Sequence, residues 1–409
     1  MIQNKRKIIN DPIYGFVTLP DEIVYDLINH PIFQRLRRIK QLGLTNLVYP
    51  GALHTRFHHA IGAMHLMTEA LQVLKSKGIK ITEDECRAAI IAILLHDVGH
   101  GPFSHALEHT IVKGVHHEDI SMMLMDELNK AFKGKLSLAI KIFKDEHPKK
   151  FLHQLVSSQL DVDRLDYLKR DSFFTGVSEG VISTDRIIKM LTVVDGNLVV
   201  EAKGIYSVEK FLIARRLMYW QVYLHKTVLS AEKLLVNILK RAKELSLRGT
   251  DLFATPALSL FLKNNYSKKD FISKPELLQQ FVLLDDYDIM ASIKAWMNHE
   301  DKVLALLCKN MIERHLYKIQ LQNKKFTETE KNAWLEKVMK KYKLTKSEAE
   351  YFVFTESVNN SAYNSSEIKI NILYNNNILV DVAKASDQLN IKMLSKKVTK
   401  YFICYPKGL

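Results

Sequence analysis

Cysteine is scarce in this 409-residue chain: only Cys86, Cys308 and Cys404 occur, odd in number and far apart. That usage excludes a disulfide scaffold and fits a reducing compartment. No apolar run reaches the roughly 18 residues of a membrane span, and MIQNKRKIINDP lacks the apolar core of a secretory signal. A cytoplasmic protein with no membrane partner is therefore expected. Repeats and long disordered tracts are absent, as are helix-turn-helix, zinc-finger and RNP spacings. Acid is also in deficit, since 45 Asp plus Glu against 59 Lys plus Arg leave a net charge of +14. Such a surplus favours polyanionic ligands, whether nucleoside triphosphates or weakly bound nucleic acid. The cations are spread along the chain, which argues against a dedicated nucleic-acid patch.

What is present is concentrated in Ile90–His105, IIAILLHDVGHGPFSH. An apolar helical run ends there in an imidazole beside a carboxylate. Within a packed core His96, Asp97, His100 and His105 each need a partner, because an unpaired buried charge costs several kcal/mol. His96 and Asp97 alone would suit a helix end at which the two side chains bond one another. Other segments offer matching donors, however. HTRFHHAIGAMH carries His54, Arg56, His58, His59 and His65; His116-His117-Glu118 opens another helical stretch; and QLDVDRLDYLKRDSFFTG is punctuated by Asp161, Asp163, Asp166 and Asp171. Imidazole plus carboxylate ligands suit Mn, Fe, Co, Ni or Zn, with Mg admissible alongside a substrate.

His59, His96-Asp97 and Asp163 form the pattern H…HD…D. Around it, IINDPIYGFVTL, FQRLRRIKQLG, YPGALHTRFHHAIG, LLHDVGHGPFSH, HEDIS, DVDRLDYLKRD and VYLHK follow in order, with NILYNNNILVDV more faintly behind. Together they resemble the HD-domain phosphohydrolase superfamily, and within it the deoxynucleoside triphosphate triphosphohydrolase branch, over nearly the whole chain. The resemblance implies metal ligands at His59, His96, Asp97 and Asp163. It places Arg56 on the triphosphate, His100, His105 and His117 around the reacting phosphate, and Arg164 at a phosphate-binding position. Tyr167 and Asp171 would hold the deoxyribose; Tyr167 read alone serves equally as a core aromatic. Arg215 and Lys226 would hold outer phosphates. The implied reaction hydrolyses a dNTP to deoxynucleoside and tripolyphosphate, with His105 or His117 as general acid. HD sites acting on nucleoside monophosphates, cyclic nucleotides or (p)ppGpp are the alternative, as is a non-catalytic nucleotide-sensing or nucleic-acid-binding module.

The resemblance also implies an effector site for a dNTP or GTP between subunits of a homo-oligomer, dimer or tetramer, at Lys7, Asn10, Gln34, Arg37 and Lys40. Asn29 departs from the aspartate of guanine-dependent members, and Phe16 from a polar ring. Arg35, Arg37, Arg38 and Lys40 read alone form either a solvated face or an anion site. His54, His58 and His65 read as supporting or surface groups, and Gly99, Gly101 and Pro102 as helix breakers.

The fold class expected is mainly α: an HD-domain helical core with small β-hairpins and a C-terminal α+β region. Residues 1–248 would be the catalytic core and 249–409 a structural or oligomerisation region. Helices are expected over Asp21–Ile28, Pro31–Leu42, 58–76, 83–97, 117–131, 136–145, 150–169, 184–193 and 207–245, with Asp195-Gly196 turning between two strands. Residues 256–352 read as mostly helical. Residues 366–405 read as three strands interrupted by a helix near Ser386 to Ser395, and Asn375-Asn376-Asn377 joins two of them.

Overall fold

The structure is a computed structural model that describes residues 7–103, 110–112, 114–360, 363–364, 369–386 and 398–409. Strands β1 (Ile8–Asp11) and β2 (Gly15–Thr18) form the N-terminal hairpin, in register from Ile8↔Thr18 to Asp11↔Gly15. Helices α1 (Glu22–Asn29) and α2 (Pro31–Gln34) follow. The helix expected to reach Leu42 instead tightens into a 3-10 turn at Arg35–Arg38 and stops. Its continuation Lys40 is extended and bridges Thr55.

The helical body contains α3 (Arg56–Ser76), α4 (Glu83–Leu95), α5 (His117–Ala131), α6 (Ser137–Phe143), α7 (Lys150–Val156), α8 (Val162–Thr175) and α9 (Thr184–Met190). Thr82 and Glu85 form a capping box at the start of α4, fixing where its apolar run begins. The apolar residues of α3 and α4 sit almost all round each helix, which suits elements buried at the centre of the core. The single helix expected over 150–169 is two, because the Asp161 side chain accepts from the Arg164 N–H at 2.7 Å and starts α8 afresh.

Beyond α9, β3 (Leu191–Val194) and β4 (Asn197–Glu201) pair through Asp195 and Gly196, both at positive φ (49° and 77°) as a two-residue hairpin turn requires. Helices α10 (Ile205–Met218) and α11 (Lys226–Leu247) replace the one long helix expected over 207–245. A π-helical turn at Tyr219–Tyr223 separates them. Then come α12 (Pro256–Lys263), α13 (Lys268–Ser273), α14 (Pro275–Phe281), α15 (Asp286–Trp296) and α16 (Lys302–Ile312).

Strand β5 (Lys318–Gln322) interrupts the stretch read as helical, ahead of α17 (Glu328–Tyr342) and α18 (Lys346–Ala349). Strands β6 (Phe354–Asn360), β7 (Asn371–Leu373) and β8 (Leu379–Asp381), helix α19 (Val382–Ala385) and strand β9 (Val398–Tyr405) complete the elements of the described residues. Asn376 and Asn377 adopt left-handed φ between β7 and β8, a conformation asparagine tolerates. Of the helix expected near Ser386 to Ser395, only Ser386 falls among the described residues. The sheets run β3-β4-β7-β8 and β5-β9-β6, so β7 from the C-terminal part lies parallel to β4 from the helical body. The chain is therefore mainly α with small β additions, as its residue pattern implies.

Candidate functional site

Helix α4 ends at Leu95, and the turn after it is pinned from two sides. Arg35, fully buried, donates to the Val98 and His100 carbonyls at 2.9 and 2.7 Å. Ser121 on α5 donates to the His96 carbonyl and accepts from the Gly99 N–H, each at 2.9 Å. A Cβ on Gly99 would lie 2.2 Å from the Ser121 nitrogen and 2.3 Å from the His117 carbonyl oxygen. Two readings from the sequence need correcting. Gly99 is required by backbone contact with α5 rather than by helix breaking alone, and Arg35 belongs to no solvated face but fills acceptors inside the core.

This turn presents His96 and Asp97 to His59 of α3 and Asp163 of α8. His59 Nε2 lies 3.1 Å from Asp163 Oδ1 and 4.0 Å from Asp97 Oδ2; His96 Nε2 lies 3.5 Å from Asp163 Oδ1 and 3.4 Å from Asp97 Oδ1. Donor atoms each about 2.0–2.2 Å from one tetrahedral cation stand roughly 3–3.5 Å apart, so the spacing is that of a shared ion. The imidazole orientations agree. His59 Nδ1 bonds Asp166 Oδ2 at 2.7 Å and His96 Nδ1 bonds the Ile93 carbonyl at 2.6 Å, leaving each Nε2 as the ring's lone-pair atom. Both Nε2 atoms are buried without a hydrogen-bond partner and face carboxylates. Lone pair against carboxylate is repulsive unless a positive charge lies between them, and these residues therefore fit a divalent metal.

Electrostatics point the same way. Burial pushes the His59 imidazole down, but Asp163 and Asp166 outweigh it and raise it to about 10, so the ring takes up a proton unless a cation stands in its place; His96 is likewise raised by Asp97 and Asp163 against burial. Burial pushes Asp163 and Asp97 up, yet the histidines around them hold both well below the usual carboxylate range. Negative charge is concentrated where a cation would sit. Asp97 also meets the Arg56 guanidinium, and its Oδ1 lies 3.2 Å from His100 Nε2. The His100 and His117 rings stack at 3.8 Å, so Asp97, His100 and His117 make a second set of donors around the same carboxylate. Burial, with Arg56 alongside, depresses His100 to about 3, making it a neutral ring at working pH. His105 lies outside the described residues.

A cavity of about 570 Å³ opens beside these groups, lined in part by Arg56, Arg164, Tyr167 and Asp171. Arg164 donates from Nε to the Ser158 carbonyl at 2.7 Å. Tyr167 is pushed upward by burial and by Tyr219, keeping a neutral hydroxyl. Neither Arg215 nor Lys226 lines this cavity: Arg215 acts electrostatically on Tyr167, while Lys226 is exposed at the first residue of α11. Reasoning from the sequence missed the partners of Asp171. Its Oδ1 lies 2.8 Å from His54 Nε2, its Oδ2 accepts from the Tyr223 hydroxyl at 2.7 Å, and the His54 ring stacks on Phe174 at 4.5 Å. It also missed Arg170, which bonds Asp166 from below and reaches Asp11 of β1 at 2.8 Å. The spacing of Asp166 and Arg170, i and i+4 on one helix, was the available signal.

The residues implied as an effector site lie near the N-terminal hairpin and α2. Lys7 Nζ sits 2.9 Å above the Tyr25 ring, and Asn10 faces Phe16 across the hairpin. Gln34 donates to the Ile28 carbonyl and accepts from Arg37 Nε at 2.9 Å, while the Arg37 guanidinium lies 3.6 Å over Phe57. Lys40 Nζ reaches Asn46 at 3.4 Å.

Comparison with known proteins matches residues 56–171 to the HD domain and 182–256 to the HD associated region. An uncharacterised Bacillus subtilis protein, YwfO, is 31% identical over 421 residues, spanning 99% of this chain and 93% of its own. The Dictyostelium discoideum protein named deoxynucleoside triphosphate triphosphohydrolase SAMHD1 homolog is 34% identical over 291 residues, 66% of this chain and 56% of that one. Among solved structures, a Bacteroides thetaiotaomicron phosphohydrolase superposes with a TM-score of 0.96 at 54% identity, covering 98% of this chain and 100% of that one. No helix among the described residues is long and apolar enough to cross a membrane. The residues that converge on His96 and Asp97 lie inside the stretch matched to the HD domain, and the chain belongs to the HD-domain phosphohydrolase superfamily.

Proposed function

We propose that this protein hydrolyses deoxynucleoside triphosphates to deoxynucleoside and tripolyphosphate. The carrying observation is the adjacency of the His59, His96, Asp97 and Asp163 cluster to a cavity of about 570 Å³ that Arg56 and Arg164 line. A bound divalent cation would lower the pKa of a coordinated water and offset charge on a phosphoryl oxygen. His59, His96, Asp97 and Asp163 would hold it. Arg56, already bonded to Asp97, would set the phosphate chain against this cluster, with Arg164 on the next phosphate. Neutral His100 would donate a hydrogen bond without adding charge, and either His117, stacked on it, or His105 would deliver a proton to the leaving 5′-oxygen. Tyr167 would pack on the sugar face and exclude a 2′-hydroxyl, beside the Asp171 carboxylate that His54 and Tyr223 orient. The Dictyostelium relative's name supports this substrate class.

Arg215 and Lys226 would join the outer phosphates only if the segment around them moves toward the cavity. Their position favours, as a second reading, an HD phosphohydrolase taking a nucleotide with fewer phosphates. We further read Lys7, Asn10, Gln34, Arg37 and Lys40 as an effector site for a dNTP or GTP in a cytoplasmic homo-oligomer. Incubating the protein with each dNTP and, in parallel, nucleoside mono- and diphosphates with Mn or Mg and separating the products tests the assignment: tripolyphosphate from a dNTP is expected, whereas intact dNTPs with phosphate released from the shorter nucleotides selects the second reading. His96→Ala or Asp97→Ala is expected to remove bound metal and turnover with helical content unchanged. Sedimentation and turnover that ignore added dNTP or GTP would remove the effector.

A further inference from the structure

We propose that Asp286, from the C-terminal part of the chain, is a positioning residue for the nucleotide cavity, its two carboxylate oxygens pinning the two backbone segments that carry adjoining parts of the cavity wall. Oδ2 accepts from the Lys40 N–H at 3.0 Å and Oδ1 from the Phe103 N–H at 3.1 Å. Lys40 leads directly into Gln41–Thr45, and both that segment and Phe103 line the cavity. Lys40 also bridges Thr55, and the Arg56 N–H donates to the Ile39 carbonyl at 2.9 Å. The same carboxylate thus fixes the backbone on which the first phosphate cation stands.

An acidic residue in the first turn of a helix ordinarily serves that helix. Here that task is already done, because Asp285 caps α15, accepting from the Tyr287 N–H at 2.9 Å and forming a capping box with Asp288. Asp286 points away from α15 and is 5% exposed. Burial raises its carboxyl to about 6, a cost that an apolar residue would avoid. What an apolar residue lacks is two acceptors for two otherwise unpaired backbone donors. Phe103 sharpens the point: it sits at φ 50°, a conformation that a bulky residue holds only when its surroundings impose it.

The inference rests on the proposed nucleotide substrate, and the full-length Asp286→Asn protein tests it. Asparagine keeps the size and one acceptor. Expected are unchanged bound metal, a dNTP KM raised about tenfold to a hundredfold with kcat nearly constant, and hydrogen exchange about tenfold faster at Lys40, Phe103 and Gln41–Thr45 while α3 and α4 stay protected. Asp286→Ala should exaggerate the same pattern. Unchanged KM and exchange, or protection lost evenly across the molecule, would overturn the clamp. Should the wild-type protein hydrolyse no dNTP, the substrate reading fails, and local exchange with retained metal still decides the clamp.

Discussion

His59 hands its Nδ1 hydrogen to Asp166 across 2.7 Å, and Asp166 is itself held by the Arg170 guanidinium. All three side chains are fully buried, so the orientation of the His59 Nε2 atom toward Asp163 is set from two layers beneath it. Asp166→Asn should preserve the helices while weakening metal affinity about tenfold to a hundredfold. Metal analysis after dialysis against graded chelator checks it; wild-type retention would show that Asp166 does not orient the ring.

Gly62 on α3 makes that layer reachable. A Cβ there would lie 2.0 Å from Asp166 Oδ1 and 2.1 Å from Arg170 Nη2, both immobilised in a buried ion pair. Gly62→Ala is expected to destabilise the protein by about 1–3 kcal/mol or more, because an overpacked core relaxes only partly. Urea unfolding measures this, and the variant should also release metal more readily than wild type.

Asp171 depends on His54 and Tyr223 for its orientation. Tyr223→Phe removes one hydroxyl donor from a nearly buried carboxylate, and a loss of about 1–3 kcal/mol in stability is expected. If Asp171 bonds the substrate's sugar, KM for dNTPs rises as well. Stability falling with KM constant would confine the Asp171 cluster to a packing role.

Lys243 offers a test by pH. Its amine, 7% exposed, donates to the Ile111, Phe261 and Asn264 carbonyls with no carboxylate beside it among the described residues, and burial lowers it to about 8. The folded chain therefore holds fewer protons here than the unfolded chain between pH 8 and the ordinary lysine value near 10.5. The cost of burying the charge is fully present below pH 8 and fades as pH rises through that window. Relative to Lys243→Met, wild type should gain stability from pH 8 upward; parallel denaturation midpoints across the range would contradict this.

The part of the site nearest the backbone pattern was the part legible in the sequence. His96 and Asp97 stand out because an apolar run has no other use for them, and Asp163 because an acidic periodicity follows. Arg35 was illegible because its acceptors are carbonyls 63 and 65 residues away, and nothing local separates it from Arg37 and Arg38. Asp286 was hidden among Asp285 and Asp288, where three acids in four residues read only as a helix start. The break between α7 and α8 follows from a side-chain cap at Asp161, which periodicity over 150–169 passes across. Strand β5 forms within lysine-rich sequence because β9 supplies its ladder, a partner some 80 residues on.

The parallel match of Val200 with Ile372 and Glu201 with Leu373 reaches beyond the sheet itself. Cutting the chain after residue 248 would strip β4 of this neighbour and leave a row of open amide and carbonyl groups on its outer side, flanked by the apolar Val199 and Val200. A bare rim of that kind recruits other chains. The shortened fragment would thus be expected to self-associate through a wound of its own making, and its aggregation would say nothing about the assembly of the intact protein.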